Sequence, residues 1–104
     1  MRKNNFSFGI SESAFEDANE IALWYNRIVN GLGTRFMLKL EVAFEKTLIS
    51  PEAFSRYHKK SDIRKLTMSG FPYKIYYLFK KEHIEILAII HMSRSKQFIK
   101  RKLR

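Results

Sequence analysis

Two amphipathic helical patterns, joined by a three-residue link, constrain the fold of this chain more than any other feature of its sequence. Apolar residues recur at helical spacing from Ala14 to Val29 and again from Phe36 to Thr47, with Gly31-Leu32-Gly33 between them. Pro51 ends the second pattern because proline cannot continue a helix. Helices of about four turns joined by so short a loop form an antiparallel hairpin.

The residues before the first helix predict a short strand and a helix N-terminus. Phe6 to Ile10 alternates apolar and polar residues, which is typical of a strand. Ser13 and Glu16 have the S-x-x-E spacing of a capping box. We therefore expect the first helix to span about residues 14–29.

Three segments rich in β-branched and aromatic residues follow the second helix, and they supply the surface that the hairpin must cover. They span residues 63–68, 71–79 and 84–91. If Lys81-Glu82 is a two-residue loop, Lys80 pairs with His83. The expected fold class is α+β: an N-terminal strand, an antiparallel helical hairpin packed on one face of an antiparallel β-sheet, and a basic C-terminal tail. Residues 1–104 form a single domain.

This register also divides the side chains between the two faces of the sheet. The face toward the helices is expected to hold Tyr73, Ile75, Tyr77, Phe79, Ile84, Ile86, Ala88 and Ile90. The opposite, open face is mixed and is expected to hold Lys74, Tyr76, Leu78, Glu85, Leu87, Ile89 and His91. Arg64 has the parity of Leu66, so either its side chain extends past the sheet edge or a bulge reverses its direction.

The positive charge is confined to the second half of the chain. The net charge is +10. Residues 1–49 carry six basic and six acidic residues, whereas residues 50–104 carry fourteen basic and four acidic. The electrostatic field of such an uneven positive charge attracts nucleic acid, an acidic protein segment or anionic lipid. The alternative is a basic surface that serves only solubility.

Several classes of site are excluded by the residues present. There is no cysteine, so disulfides and thiolate zinc sites are ruled out. His58, His83 and His91 lack ligand spacing, so we expect no metal and no cofactor. No run approaches about 20 apolar residues, and the first residues lack a secretory apolar run. A soluble cytoplasmic protein without a membrane partner is expected.

A cluster on the open face and its edge is the candidate functional site. Cations around His91 could hold a phosphate while the imidazole acts as acid or base. Alternatively, His91 only ends a strand and Arg94 forms a structural ion pair; residue chemistry does not separate the two. An apolar strip rimmed by cations also suits an amphipathic, acidic partner. The predicted binding surface comprises Arg64, Lys74, Tyr76, Leu78, Leu87, Ile89, His91, Arg94, Lys96, Lys100 and Arg101.

The order of short motifs resembles the toxins of the RelE/ParE superfamily over about residues 10–95. The resemblance rests on Tyr25, Gly31-Leu32-Gly33, Pro51, Ile63-Arg64, Phe71-Pro72-Tyr73 and His91-x-x-Arg94. It implies a small, basic toxin of a bacterial toxin–antitoxin pair, with the α+β fold given above. It also implies a partner, a cognate acidic antitoxin that wraps and neutralises the toxin.

The superfamily has two branches, and these motifs are more similar to the ParE-like branch, whose members inhibit DNA gyrase without cutting RNA. RelE-like members cut mRNA on the ribosome, and under that alternative Arg64, Lys74, His91 and Arg94 would be the catalytic residues. Ser95-Lys96 stand where an acidic residue and proline usually follow H-x-x-R. That is a departure from the family pattern. The chain also lacks the terminal Tyr or His pair that nuclease members use, so we expect a gyrase-binding surface rather than a self-sufficient active site. A degenerate, non-toxic member is a further alternative.

Overall fold

The computed structural model describes residues 6–104, which form a four-stranded sheet with two helices on one face and a third helix on the other. The expected single domain thus includes five residues, 1–5, that lie outside the described part. The elements are β1 (Ser7–Ile10), α1 (Glu12–Ile28), α2 (Leu32–Ile49), β2 (Ile63–Thr67), β3 (Tyr73–Lys80), β4 (His83–His91) and α3 (Lys96–Lys102). The predicted α+β class and the helical hairpin are confirmed.

The strand order is β1-β4-β3-β2, and the pairing is mixed rather than wholly antiparallel. β2, β3 and β4 form the antiparallel meander that the sequence predicts. β1 joins the edge of β4 in parallel, with Ser7 beside His83 and Ile10 beside Ile86. The alternation of apolar and polar residues identifies a strand but not the direction in which it pairs. The parallel pairing of β1 could therefore not be predicted from the sequence.

The first helix begins at Glu12, two residues earlier than predicted, because Ser11 and not Ser13 caps it. The Ser11 hydroxyl accepts a hydrogen bond from Ala14 N–H at 3.0 Å. The same hydroxyl donates to the Leu87 carbonyl at 3.2 Å, and Ser11 N–H donates to the Ile86 carbonyl at 2.9 Å. Ser11 therefore ties the end of β1 and the start of α1 to the middle of β4.

The two helices approach closely because glycine occupies two positions that disfavour a side chain, Gly31 in the link and Gly33 in the first turn of α2. Gly31 has a φ of +90°, a left-handed conformation that glycine adopts without strain. Gly33 N–H donates to Asn26 Oδ1 at 2.8 Å, and a Cβ at Gly33 would lie 2.1 Å from the Ala22 carbonyl oxygen. Gly31 is a turn residue, as the sequence indicated, whereas Gly33 lies in the first turn of α2.

A β-bulge at Leu87 divides the last two strands into two registers. The loop Lys81-Glu82 has φ of 52° and 62°, and Lys80 pairs with His83 as predicted. Tyr77 then pairs with Ile86, but Tyr76 pairs with Ala88, so Leu87 is the extra residue. An extra residue reverses the face of every side chain beyond it.

The predicted faces were therefore wrong for the second half of β4. Ile89 belongs to the core under α1 and α2, where it is 4% exposed, and His91 pairs with Tyr73 on that same side. Ala88 and Ile90 face the opposite side together with Tyr76.

The opposite side of the sheet is not open, because α3 covers it. Ser95 caps this helix by accepting a hydrogen bond from Phe98 N–H at 3.1 Å. The side chains that pack over Tyr76, Ala88 and Ile90 are Phe98, Ile99, Leu103, Tyr57 and Ile63. The basic tail is thus a short amphipathic helix with its apolar side on the sheet.

Tyr77 supplies a prediction about alkaline stability. Its hydroxyl donates to the Pro51 carbonyl at 2.7 Å. Burial raises the pKa of Tyr77 to about 12, against an opposing effect of the Arg64 charge. The folded state therefore binds this proton more tightly than the unfolded state, whose tyrosine pKa is about 10. Stability is fully present below the lower pKa and is lost as pH rises through the higher one.

We expect Tyr77→Phe to lower the free energy of unfolding by about 1–3 kcal/mol at neutral pH, because the Pro51 carbonyl loses its donor. The variant should also lose less stability than the wild type between about pH 10 and pH 12. Urea unfolding at neutral and alkaline pH measures both effects. Parallel pH profiles for the two proteins would show that Tyr77 is not the titrating group.

Candidate functional site

The predicted site residues do not form one cluster. Arg64 pairs with Tyr77 on the side of α1 and α2, and its guanidinium donates to the carbonyls of Phe54 at 2.7 Å and Glu52 at 3.2 Å. It lies on the edge strand β2 without a bulge, which is the first of the two alternatives expected. Lys74 pairs with Ile90 on the side of α3. Arg64 and Lys74 therefore point to opposite faces of the sheet.

The predicted apolar strip is mostly covered. Ile89 lies in the core, and its placement on an exposed strip was wrong. Leu78 and Leu87 are only partly exposed. Tyr76 is buried, and both this burial and the neighbouring Tyr57 raise the pKa of its hydroxyl. A buried ring cannot serve as an exposed stacking platform for bases.

His91 and Arg94 lie where β4 ends and the chain turns toward α3. The His91 ring packs edge-on against Tyr73, with 5.2 Å between the ring centroids. Its Nδ1 atom accepts from Ser93 N–H at 3.0 Å and from the Ser93 hydroxyl at 2.8 Å. The Arg94 guanidinium lies 4.2 Å from the centre of the Phe98 ring, a cation–π contact.

These two residues border a cleft of about 630 Å³ between α1, the end of β4 and α3. We call it the α1–α3 cleft. Its apolar lining is Ile21, Trp24, Tyr25, Ile28, Leu32, Tyr73, Ile89, Ile90 and Phe98. Its polar lining is Asp17, Glu20, His91, Ser93, Arg94 and Lys102. The contribution of Trp24 was not predicted, although a tryptophan one turn before Ile28 on α1 was a usable signal.

An ion pair closes one end of the cleft. Lys102 Nζ lies 2.8 Å from Asp17 Oδ1, and both side chains are largely buried. The other Asp17 oxygen accepts from Ile89 N–H at 3.4 Å. β1 pairs with β4 only as far as Ile86, so Asp17 takes the place of a strand partner beyond that point. The pair thus joins α3 to α1 across the uncovered edge of β4.

Tyr73, on the floor of the cleft, is held neutral. Burial, and then a hydrogen bond with Tyr25, raise the pKa of Tyr73 well above its usual range. The Tyr25 and Tyr73 rings also contact each other edge-on, with their centroids 6.3 Å apart. The floor is therefore aromatic and uncharged, and the charges lie on the two helices.

The two helices differ in charge, and Asp17 and Glu20 of α1 and Lys102 of α3 line the cleft. The acidic residues of α1 are Glu12, Glu16, Asp17 and Glu20. The basic residues of α3 are Lys96, Lys100, Arg101 and Lys102, and this helix has no acidic residue. The predicted binding residues Lys96, Lys100 and Arg101 are exposed, and their role stays a prediction.

The structure also brings together Ser7, His83 and Glu85, which sequence spacing did not reveal. The Ser7 hydroxyl lies 2.6 Å from His83 Nδ1, and His83 Nε2 lies 2.9 Å from Glu85 Oε1. Gly9 leaves room for this carboxylate, because a Cβ there would lie 2.6 Å from Glu85 Oε1. None of the three lines the α1–α3 cleft. We interpret them as a cross-strand link that holds β1 on β4.

Within residues 6–104, no three His, Asp or Glu side chains are grouped so that they could hold a metal ion. None of the helices described here combines the length and the apolar character needed to cross a membrane.

Two solved structures share this architecture. A chain of the chromosomal ParDE TA system from P. aeruginosa has a TM-score of 0.75 and 16% sequence identity, and the match covers 88% of this chain and all (100%) of that one. The isolated E. coli RelE toxin has a TM-score of 0.63 and 17% identity, covering 92% of this chain and 94% of that one. No protein-family model matches the sequence, and neither does any curated protein. The protein has the fold of the RelE/ParE toxins, with greater similarity to the ParDE chain than to RelE.

Proposed function

We propose that this protein is the toxin of a type II toxin–antitoxin pair, that it acts in the cytoplasm by binding DNA gyrase, and that an acidic antitoxin neutralises it. The observation that carries the proposal is the fold shared along most of both chains with the ParDE structure. The motif order Gly31-Leu32-Gly33, Phe71-Pro72-Tyr73 and His91-x-x-Arg94 supports the same branch.

The separation of the candidate catalytic residues favours binding over cleavage. Acid–base catalysis of phosphodiester cleavage requires the proton-transfer group and the cations to reach one scissile phosphate. The Arg64 guanidinium donates hydrogen bonds to two loop carbonyls on one side of the sheet, and Lys74 lies on the other side. His91 and Arg94 flank the α1–α3 cleft. The four residues do not converge on one point, whereas exposed cations at a cleft suit an acidic protein surface.

A RelE-like endoribonuclease is the second candidate, because the isolated RelE toxin shares the fold over 92% of this chain. In that case the ribosome and mRNA are the partners. They would have to supply the catalytic groups that the chain does not assemble.

Induced expression of the protein without an antitoxin should stop growth, and the purified protein should inhibit supercoiling of relaxed plasmid by purified gyrase. Undiminished supercoiling at saturating protein would contradict gyrase as the target. Codon-linked cuts in translated mRNA, lost in Arg64→Ala or His91→Ala, would establish the ribonuclease instead. Normal growth on expression would identify a non-toxic member of the fold.

The antitoxin can be obtained by selection in the same strain. Fragments of the source genome that restore growth during induction should encode a short acidic protein, expected in the frame that adjoins this gene. If the protein stops growth and no fragment restores it, the expectation of a cognate antitoxin is contradicted.

A further inference from the structure

The helix α2 has two regular faces, and the fold buries only one of them. The buried residues of its inner face are Phe36, Leu40, Ala43 and Thr47. Its outer face carries five exposed residues at alternating spacings of three and four, which are Arg35, Leu38, Val42, Glu45 and Ile49. We call these five residues the α2 outer stripe. Such spacing is the heptad repeat by which two helices pack along their length.

The centre of the α2 outer stripe is apolar. Leu38 is 58% exposed and Val42 is 44% exposed. They lie one turn apart, so their side chains form adjoining parts of one surface. Neither residue lines the α1–α3 cleft. A single exposed apolar side chain is ordinary, but a regular row of them marks an interaction surface.

The charges that flank this apolar centre specify what can dock there. Arg35 and Glu45 take part in none of the ion pairs within residues 6–104. They are ten residues apart on one helix, about 15 Å, so they cannot neutralise each other. An occupant of the stripe therefore has to bring a carboxylate to Arg35 and a cation to Glu45.

The distribution of charge in the whole chain allows this face to meet a copy of itself. The net charge of +10 arises in residues 50–104, whereas six basic and six acidic residues balance in residues 1–49. Two copies repel each other where their basic halves approach, but α2 carries three basic and two acidic residues. The helical hairpin is therefore the part of the surface on which self-association meets the least repulsion.

A second copy of α2 satisfies the stripe when the two helices run antiparallel. With a two-fold axis midway between Leu38 and Val42, each Leu38 faces Val42 of the second copy. Arg35 then faces Glu45 of the second copy, and the symmetry repeats both contacts. Two apolar layers lie at the centre, with an ion pair at each end. Parallel packing would instead place Arg35 against Arg35 and Glu45 against Glu45, which like-charge repulsion disfavours.

We propose that the protein forms a dimer in which the α2 outer stripes of two copies pack antiparallel around this two-fold axis. The inference goes beyond the proposed function, because it names a partner, a second copy of this chain, that toxicity and neutralisation do not require. Each helix is already formed and anchored by its inner face, so a short contact does not have to stabilise the helix as well.

The residues beside the stripe are compatible with this contact. The Lys39 side chain extends toward Gly70, where a Cβ would lie 3.7 Å from Lys39 Cε. Glu41 is exposed on the other flank and meets its own copy at the rim of the contact. Water and salt screen the repulsion between exposed charges there.

Sedimentation velocity of the purified full chain, over a wide range of concentration, measures the association. The mass should rise from the 12.4 kDa of one chain toward twice that value. Because the contact is small, we expect a dissociation constant on the order of 1–100 μM. A chain that stays monomeric up to about 1 mM would overturn the inference and leave the stripe to a partner of other chemistry.

Two matched variants locate the contact on α2. Leu38→Glu places a carboxylate in an apolar layer, and Ile28→Glu makes the same change in the α1–α3 cleft. The two side chains are 58% and 55% exposed, so both variants should fold, which circular dichroism and thermal melts verify. Leu38→Glu should weaken association by about tenfold or more, and Ile28→Glu should leave it unchanged. Equal weakening by both, or undiminished association of Leu38→Glu, would overturn the assignment.

Charge reversals test the antiparallel register separately from the apolar layers. Arg35→Glu and Glu45→Arg should each weaken self-association by about tenfold or more, because like charges then meet at both ends of the contact. An equimolar mixture of the two variants should associate, since each supplies the charge that the other requires. The double variant should dimerise as the wild type does, with both ion pairs reversed. Single variants that associate like the wild type, or a double variant as weak as either single one, would reject this pairing.

Discussion

Replacing Phe36 with alanine is expected to lower the free energy of unfolding by about 3–5 kcal/mol, the largest loss for a single truncation in this fold. The Phe36 ring is 0% exposed. It contacts Tyr25, Phe71 and Tyr73, with centroid distances of 5.9, 5.4 and 5.5 Å. The cavity would open where α1, α2 and β3 meet. Because the neighbouring aromatic rings are rigid and cannot move far enough to fill it, most of the cavity would remain and the cost would be high.

Phe44→Ala on the same helix is the matched control. Phe44 belongs to the same apolar pattern of α2, but its ring is only partly buried and its centroid lies 5.8 Å from that of Phe8. Its truncation should cost less than that of Phe36, because water can fill part of the space. Equilibrium urea unfolding with unchanged m-values compares the two. A loss at Phe36 no larger than that at Phe44 would show that the helix face is misassigned.

The second large effect is expected at Gly33. A Cβ there would lie 2.1 Å from the Ala22 carbonyl oxygen and 2.7 Å from Asn26 Cγ. The nearest obstacle is backbone, so the two helices have to separate rather than a side chain rotate. We expect Gly33→Ala to cost about 3 kcal/mol or more, at the upper end for overpacking, and to loosen α2 against α1.

Gly31→Ala tests a different property two residues away. Nothing lies within 4 Å of a Cβ at Gly31, but its φ of +90° is strained for alanine. The cost should be about 1–2 kcal/mol, from the backbone alone. Hydrogen exchange of α1 and α2 amides distinguishes the variants, since only Gly33→Ala should raise exchange along the whole hairpin. Equal destabilisation and equal exchange would mean that close packing at Gly33 is not what holds the helices together.

The sequence predicts this fold well where the signal is local. The glycine-rich link, Pro51 after the second helix and the apolar periods are all readable from neighbouring residues, and they predict the hairpin. Strand positions and the Lys80–His83 pairing follow from β-branched runs and a two-residue loop, and the structure confirms them. Even the helix cap was missed by only two residues, because Ser11 and Ser13 are both suitable caps.

The prediction fails at the β-bulge, because one extra residue reverses the sheet face of every side chain that follows it in β4. Leu87 carries no mark of a bulge, since it lies in a run of apolar residues that fits either register equally well. At the bulge, the Leu87 carbonyl accepts a hydrogen bond from the hydroxyl of Ser11, which is 76 residues away in sequence. No pattern within β4 contains that information, so Ile89 and Ala88 were assigned to each other's faces.

The position of the α1–α3 cleft could not be predicted either, because it depends on a helix that forms only through contacts with the sheet. A helix as short as α3 is marginal by itself and forms because Phe98, Ile99 and Leu103 find the apolar side of the sheet. Once α3 is in place it covers Tyr76, Ala88 and Ile90, and it borders the cleft beside them. His91 and Arg94 line this cleft, and their role in binding stays a prediction. The cleft is also bordered by α1, which the strand register could not indicate.

The parallel pairing of β1 with β4 has a consequence for how the protein emerges during synthesis. Ser7 and His83 are 76 residues apart, and Asp17 and Lys102 are 85 residues apart. At about 5–20 residues per second, the first strand waits several seconds for its partner to leave the ribosome. The cleft needs one helix from each end of the chain. A truncated translation product that lacks α3 therefore cannot form this cleft.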